Sequence, residues 1–341
     1  MATVMEPRTT MVPPVERLPR VLPTDRLTES GMPVPGLRAE LRQIADVRNA
    51  GQVLLAWAQA LGTIALAVWI GHPLAYLAAV VLMGPAFARF AIIGHEAAHK
   101  LLFTNKRVND WVGRWLVAYP AFVPLEAYRR SHFAHHKEEF GPNEPDMNLY
   151  VGYPVTPASL RRKLWRDARG TSGWKNLKGL LGALRSEMAR PVALRILGAQ
   201  AVLLAVAIVV GRWWLYPLLW LLPWMTSWRV INRLRAIAEH GGMQRSKDRR
   251  ETTHHVRQSW LARFSIVPLN TGWHLAHHVD MGTPFRNLPK LHAELERAGY
   301  VTPAITYPSY VALWRALRSR PEQDAPAAAP TATASRQFGG L

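Results

Sequence analysis

The sequence predicts an all-α integral membrane protein, with four transmembrane helices and a cytoplasmic helical cap that carries three clusters of histidines. Three observations lead to this fold class. Hydrophobic residues make up 49% of the 341 residues and are gathered into long runs. The 42 basic residues outnumber the 23 acidic ones and flank these runs. The histidines recur between the runs at helical spacing, so the polar segments are predicted to be helical too.

The two ends of the chain differ in composition from the region between them. Residues 1–36 are rich in proline and arginine and show no periodic apolar pattern, which predicts a disordered tail. Residues 321–341 are rich in alanine, proline and threonine and are predicted to be a second disordered tail. The membrane domain is therefore expected to occupy residues 37–320.

Four apolar runs are long enough to span the hydrocarbon core of a bilayer, which takes about 20 residues of helix. They are residues 53–70, 74–93, 192–210 and 213–231. A fifth apolar stretch, 111–128, is interrupted by Arg114, Pro120 and Pro124. We interpret it as an interfacial or re-entrant hairpin, because irregular backbone crosses a membrane only where protein satisfies it.

The distribution of charge predicts the orientation of the chain. The short loops at 71–73 and 211–212 hold one basic residue between them, whereas the other polar segments hold nearly all the rest. The positive-inside rule then places both termini and every histidine cluster in the cytoplasm. The arginine- and alanine-rich composition favours a bacterial cell membrane. No nucleic-acid-binding motif accompanies the formal net charge of +19, so a bilayer is the expected partner and nucleic acid is not.

The three histidine clusters carry the chemistry. They are His95 with His99, then His132 with His135 and His136, and finally His274 with His277 and His278. Spacings of three and four residues place such side chains on one helix face. Neutral imidazole is the commonest side-chain metal ligand and suits iron, zinc and copper. Eight histidines exceed the needs of one four-coordinate ion, which indicates two ions side by side.

Three short sequence motifs accompany these clusters: Glu144-Pro145-Asp146, Glu239-His240-Gly241-Gly242 and Leu288-Pro289-Lys290-Leu291-His292. With the clusters and the spans, they resemble the integral-membrane fatty acid desaturase and hydroxylase superfamily over about residues 53–300. The resemblance implies that two irons are bound by nine histidines, undivided between the two metals: His95, His99, His132, His135, His136, His240, His274, His277 and His278. It departs from some relatives at Ala236, where they carry an asparagine; here Asn232 lies one turn earlier still.

Ligating imidazoles usually donate their second N–H to a carboxylate or carbonyl. The residues predicted to support the ligands in this way, or from close by, are Glu96, Asp146, Asp280 and His292. For Asp146, a solvated position in a loop is an equally good interpretation.

The function that the resemblance implies is O2-dependent di-iron desaturation of a long acyl chain, presented as an acyl lipid, acyl-CoA or acyl carrier. The chain contains no cysteine, so it cannot hold an iron–sulfur or rubredoxin centre itself. Electrons are therefore expected from a separate ferredoxin, rubredoxin or small cytochrome with its reductase.

Three alternatives remain open at this point. A membrane di-iron hydroxylase, monooxygenase or ketolase of a lipid or alkane would use the same ligands. His95-Glu96-Ala97-Ala98-His99 also matches the zinc-protease pattern, in which the glutamate is the general base. That reading leaves the other two clusters unexplained. A non-catalytic metal-binding membrane scaffold is the third alternative.

Overall fold

The computed structural model describes residues 10–321, and most of them lie in helices. In chain order these are α1 (Pro35–Leu41), α2 (Asp46–Ile70), α3 (Pro73–Ala98), α4 (Lys106–Val112), α5 (Leu125–Glu138), α6 (Met147–Tyr150), α7 (Pro157–Ala168), α8 (Thr171–Ala183), α9 (Arg190–Val209), α10 (Leu222–Met225), α11 (Ser227–His240), α12 (Arg249–Thr252), α13 (Trp260–Ser265), α14 (His274–Val279), α15 (Leu288–Arg297) and α16 (Tyr310–Leu317). Two strands, β1 (His255–Val256) and β2 (Thr306–Tyr307), pair in parallel. The mainly helical fold is confirmed, and this small strand pair is an addition to it.

Within residues 10–321, three helices are long and apolar enough to cross a membrane: α2, α3 and α9. They coincide with the first three predicted spans. The turn between α2 and α3 requires a glycine, because Gly71 has a φ of 66°, in the left-handed region that side chains disfavour. Helix α3 is the most enclosed of the three, with 67% of its apolar stretch buried against 22% in α2 and in α9. It therefore forms the centre of the apolar half.

The fourth predicted span, residues 213–231, is not one continuous helix. It consists of a π-helical turn (Pro217–Leu221), the short α10 and, after a break at Thr226, the start of α11. Pro217 and Pro223 explain the irregularity, because a proline lacks the N–H that a regular helix needs. Helix α11 then continues beyond residue 231 to His240. It thereby connects the apolar half of the protein to the histidine clusters.

The stretch interpreted as a hairpin has a helical entry, an irregular tip and a helical exit. Helix α4 and a π-helical turn (Gly113–Ala118) lead in, and α5 leads out. At the tip, the carbonyls of Tyr119 and Pro120 accept hydrogen bonds from Gln200 at 2.7 Å and from Trp220 at 3.1 Å. Gln200 is midway along α9, so the tip lies among the apolar helices with its carbonyls paired. This arrangement agrees with the hairpin interpretation.

The structure corrects the predicted N-terminal tail for residues 10–36. Leu27 is 1% exposed and packs in one cluster with Leu37, Leu41 and residues of α15. Arg26 binds Glu294 of α15 at 2.9 Å. The apolar side chains of this segment lack periodic spacing, but they pack against α15, which is distant in sequence. Residues 1–9 of this tail and 322–341 of the predicted C-terminal tail lie outside the described residues.

Candidate metal centre

Four helix segments bring the nine predicted histidines together. Helix α3 ends with His95 and His99 at its C-terminus, and α11 ends at His240. Helices α5 and α14 supply three each, on the faces that their spacing predicts. Eight of the nine side chains are buried and His274 is partly buried. Each helix thus contributes its polar end to one enclosed site.

Five of these histidines form a first group, the five-histidine cluster: His95, His99, His132, His136 and His277. Their candidate ligand nitrogens all lie within 4.8 Å of one another. The Nε2 atom of His277 is 3.1 Å from that of His95 and 3.0 Å from that of His136. The Nε2 atoms of His132 and His136 are also 3.0 Å apart.

The remaining four form the four-histidine cluster: His135, His240, His274 and His278. The Nε2 atom of His274 lies 3.0 Å from the Nε2 atoms of both His240 and His278. His135 joins them because its ligand nitrogen is within 4.8 Å of those of His240 and His278. The nine histidines, which the sequence left undivided, therefore separate in space into five and four.

The spacing of the nitrogens fits metal ions better than hydrogen bonds. An imidazole nitrogen has a single in-plane bonding direction, yet Nε2 of His277 and Nε2 of His274 each approach two other nitrogens. Two nitrogens bound at right angles, each about 2.1 Å from a metal, would be about 3.0 Å apart. The Nε2 atom of His99 is also buried without a hydrogen-bond partner. The residues present therefore fit a pair of metal ions.

The protonation states also suit metal binding. Burial, followed by the charge of neighbouring groups, holds the pKa of six of these histidines well below 6.5: His132, His136, His240, His274, His277 and His278. They are neutral at pH 7, which is the form that binds metal. Burial also disfavours the charged form of His135, but Glu144 outweighs it and raises the pKa of that imidazole.

The outer nitrogens of the four-histidine cluster are anchored. His135 Nδ1 lies 3.0 Å from Glu144, and His278 Nδ1 lies 2.6 Å from Glu139. The carbonyl of Thr252 accepts a hydrogen bond from His240 Nδ1 at 2.8 Å. Sequence reasoning missed Glu139, Glu144 and Thr252. The motif Glu144-Pro145-Asp146 is the signal in the sequence that points to this place, but it predicts Asp146 as the supporting residue instead of Glu144.

Three of the four predicted supporting residues have other partners. Glu96 is buried and accepts the backbone N–H of Phe285 at 3.0 Å. Asp280 binds Arg42 at 2.5 Å. His292 stacks on His255, with ring centroids 4.6 Å apart, away from both clusters. Only Asp146 lies close to a ligand, with a carboxylate oxygen within 4.8 Å of the nitrogen of His135, and there Glu144 makes the hydrogen bond.

A cleft opens against both clusters. His95 and His277 of the first cluster and His240 and His274 of the second contribute to its wall. Polar groups such as Tyr150 line it together with apolar side chains of Ile92, Leu149 and Leu288. Asn232 and Ala236, the positions where the sequence departs from some relatives, also line this cleft. A substrate group in the cleft would meet both histidine clusters at once.

Helices long enough to span a membrane and clustered histidines that could hold metal are together typical of helical membrane oxidoreductases. The profile of the fatty acid desaturase family matches residues 67–310. The chain therefore belongs to the fatty acid desaturase family and is an oxidoreductase. The resemblance seen in the sequence is confirmed.

Characterised relatives agree with this assignment. The chain is 27% identical over 265 residues to dihydrorhizobitoxine desaturase from Bradyrhizobium elkanii, covering 72% of this chain and 74% of the relative. It is 25% identical over 250 residues to sn-1 oleoyl-lipid 12-desaturase from Arthrospira platensis, covering 66% and 68%. It is 25% identical over 293 residues to the chloroplastic omega-6 fatty acid desaturase of Brassica napus, covering 76% of this chain and 62% of that protein.

Proposed function

We propose that the protein binds two irons through its nine clustered histidines and uses O2 to introduce a double bond into a long acyl chain of a membrane lipid. One observation carries the proposal. Nine imidazoles, eight of them buried and most of them neutral, form two adjacent groups whose nitrogens have the spacing of metal ligands. A zinc protease would use His95, His99 and Glu96, and would leave most of this set without a role.

The iron pair, when bound, would supply the chemistry that activates O2 and removes hydrogen from an unactivated C–H bond. The protein's own task is to hold the ligands and position the chain. His277 would bind the first iron together with His95 and His136. His274 would bind the second iron together with His240 and His278. Leu149 and Leu288 in the cleft give a methylene chain an apolar surface to lie against.

We propose acyl lipids as substrates because two of the relatives above are named for oleoyl-lipid and fatty acid substrates. Dihydrorhizobitoxine desaturase is named for a different substrate, so the family name alone does not fix the substrate. The expression experiment described below also tests an acyl group that is presented as acyl-CoA or on an acyl carrier. We place the protein in a bacterial cell membrane with termini and clusters cytoplasmic, as the charge distribution predicts.

The absence of cysteine supports an external electron donor: a ferredoxin, a rubredoxin or a small cytochrome with its reductase. The excess of basic residues favours an acidic donor through electrostatic steering. Turnover is expected to require the added donor and to slow as salt rises. Turnover of the purified protein with NADPH alone would contradict this part of the proposal.

The test is expression in a host that makes only saturated chains, with mass spectrometry of total fatty acids and iron analysis of the purified protein. We expect two irons per chain and products two mass units lighter with a new double bond. His277→Ala should lose about one of the two irons and should form no product. His72→Asn is a matched control, because His72 lies in the exposed turn before α3 and asparagine also caps helices.

The same experiment separates the alternatives. A product that gains one oxygen and no double bond would make the protein a hydroxylase or monooxygenase, and one that gains a carbonyl would make it a ketolase. Full activity with zinc alone would contradict the di-iron proposal. Metal without any product from lipids, acyl-CoA or acyl carriers would favour the scaffold alternative.

A further inference from the structure

The hairpin of α7 and α8, residues 157–183, and its link to α9 present a strongly basic surface. Eight basic residues are exposed between residues 157 and 190: Arg161, Arg162, Arg166, Arg169, Lys175, Lys178, Arg185 and Arg190. In the same range the exposed acid is Glu187, whereas Asp167 is buried. The surface therefore carries a net positive charge that attracts anions.

Each helix of this hairpin also exposes a tryptophan with a cation beside its ring. Trp165 in α7 is 59% exposed and Arg169 lies 5.4 Å from its ring centroid. Trp174 in α8 is 50% exposed and Lys178 lies 5.9 Å from its ring centroid. Both pairs have a spacing of four residues, so indole and cation lie on the same helix face. Tryptophan and basic residues together are typical of the membrane–water interface.

The opposite face of the hairpin is fixed to the apolar half of the protein. Leu180 and Ala183 are buried in the same core as α3 and α9. A Cβ atom on Gly173 would come within 2.4 Å of the Cα atom of Met225, so α8 lies directly against the fourth apolar segment. The buried carboxylate of Asp167 binds Arg233 of α11. These contacts leave the basic and aromatic side free to face outward.

The position of the hairpin along the chain places it at the end of a membrane helix. Helix α8 ends at Ala183, and α9 begins at Arg190. Between them Met188 is 91% exposed, and Leu181 near the end of α8 is 45% exposed. Apolar groups that alternate with cations at the end of a span match the region where phosphates meet acyl chains.

We propose that the α7–α8 hairpin binds the headgroups of anionic phospholipids. Arg162, Arg166 and Lys175 would pair with lipid phosphates, and Trp165 and Trp174 would lie among the upper parts of the acyl chains. An acidic protein would match the cations but would leave two exposed indoles and Met188 without an apolar environment. This inference concerns the surrounding bilayer and does not depend on the metal or the substrate.

The test uses the full-length protein in nanodiscs with equal amounts of phosphatidylglycerol and phosphatidylcholine, and native mass spectrometry counts the lipids that remain bound. We expect the bound lipid to be enriched in phosphatidylglycerol and the enrichment to fall with rising salt. The variant R162Q/R166Q/K175Q should reduce the enrichment about tenfold or more, since each cation near an anionic surface contributes to binding. The matched control is R17Q/K290Q/R318Q, which removes three exposed cations elsewhere.

Each outcome decides the proposal. Equal enrichment in the hairpin variant and the wild type would overturn it. Loss of the enrichment on adding millimolar inorganic phosphate would also overturn it, because single anions would then occupy the surface. Unchanged lipid binding with weaker salt-dependent turnover would assign the surface to the electron donor instead.

If the triple variant does not fold, W165A/W174A provides a second test, with a smaller fall in lipid enrichment expected. Folding is checked by iron content and melting temperature in pure phosphatidylcholine nanodiscs, where both should match the wild type. In the wild-type protein, absence of iron with normal lipid enrichment would count against the proposed metal function and not against the hairpin. In the hairpin variants, lost lipid enrichment with normal iron and desaturation is the expected result, and it would support the hairpin proposal.

Discussion

The two histidine clusters lie side by side but are held in different ways. In the four-histidine cluster, Glu144, Glu139 and the Thr252 carbonyl bind the outer nitrogens of three rings directly. In the five-histidine cluster, no carboxylate of the described residues lies within hydrogen-bonding distance of a ring. In the four-histidine cluster, individual rings are oriented by their own hydrogen bonds. In the five-histidine cluster, the rings are oriented by the helices that carry them.

The support of the five-histidine cluster is a set of bonds to the end of α3. The buried side chain of Asn109 donates to the Ala97 carbonyl at 3.0 Å and accepts from the Leu102 N–H at 3.0 Å. Arg129 donates to the Ala98 carbonyl at 2.8 Å and to that of Ala97 at 3.0 Å. These bonds fix the backbone between His95 and His99. An imidazole that donates to a carboxylate is a more basic ligand, so the four-histidine cluster should bind its metal more tightly.

The largest expected effect comes from removing one ligand in each cluster. His277→Ala should empty the five-histidine cluster and His278→Ala the four-histidine cluster, so each variant should retain about one iron and lose turnover by several orders of magnitude. Iron analysis and Mössbauer spectroscopy of the purified variants would identify which iron remains. Loss of both irons in both variants would show that the clusters bind metal as one unit, which removes the basis of the comparison.

Next in size are the carboxylates. Glu139→Gln and Glu144→Gln should lower the metal affinity of the four-histidine cluster by about 10- to 100-fold, as is typical when the outer partner of a ligand is changed. The five-histidine cluster should keep its affinity. Metal titration of the apoprotein measures both. Glu138→Gln is the matched control, because it makes the same change at the residue next to Glu139, and the bond to His278 is made by Glu139. Equal loss in the control would contradict the assigned role.

Asn109→Ala tests whether the hydrogen bonds to the end of α3 support the five-histidine cluster. The change leaves the buried N–H groups of Leu102 and Phe103 without an acceptor, which should cost about 1–3 kcal/mol of stability. Metal affinity should fall more in the five-histidine cluster than in the four-histidine cluster. Thermal unfolding and metal titration are the measurements, with exposed Asn176→Ala as the control. A uniform loss in both clusters would mean that α3 supports the two equally.

The smallest expected effect is at Asp248, which caps α12, the helix that carries the Thr252 carbonyl. Asp248→Ala should cost about 1 kcal/mol of stability. Burial opposes ionisation of this carboxyl, but its bonds to Arg250 outweigh burial and lower its pKa. Such a group stabilises the fold above its unfolded pKa of about 3.9 and loses this effect as pH falls through its folded pKa. The difference in melting temperature between variant and wild type should therefore be present at pH 7 and vanish in strong acid.

The sequence was sufficient to predict the grouping of eight of the nine histidines because their signal is local, whereas His240 was included only through the resemblance to the family. Spacings of three and four residues place ligands on one helix face without reference to the rest of the fold. Glu139 could not be found in this way. It is the C-cap of α5, with φ −38° and ψ 119°, so it lies where the chain leaves the helix and the helical spacing no longer applies. A partner of His278 that lies 139 residues away is determined by tertiary packing alone.

The departures in the fold have a similar explanation. Hydropathy detected the apolar run at 213–231 but gave no weight to Pro217 and Pro223, which were visible in the sequence and interrupt the helix. In the N-terminal segment, Val21, Leu27 and Leu37 are too irregularly spaced to predict an element. Their burial depends on the apolar surface of α15 and α14, which only the folded chain presents.

The ligands of each cluster come from distant parts of the chain, and this has a consequence for biosynthesis. The five-histidine cluster runs from His95 to His277, and the four-histidine cluster from His135 to His278. A ribosome that has translated α9 and α11 has produced every apolar segment, yet neither cluster is complete until α14 has emerged. If the clusters bind iron as proposed, both sites would become complete only after every membrane helix has been translated. Once loaded, the metals would act as cross-links between the first third of the chain and the last.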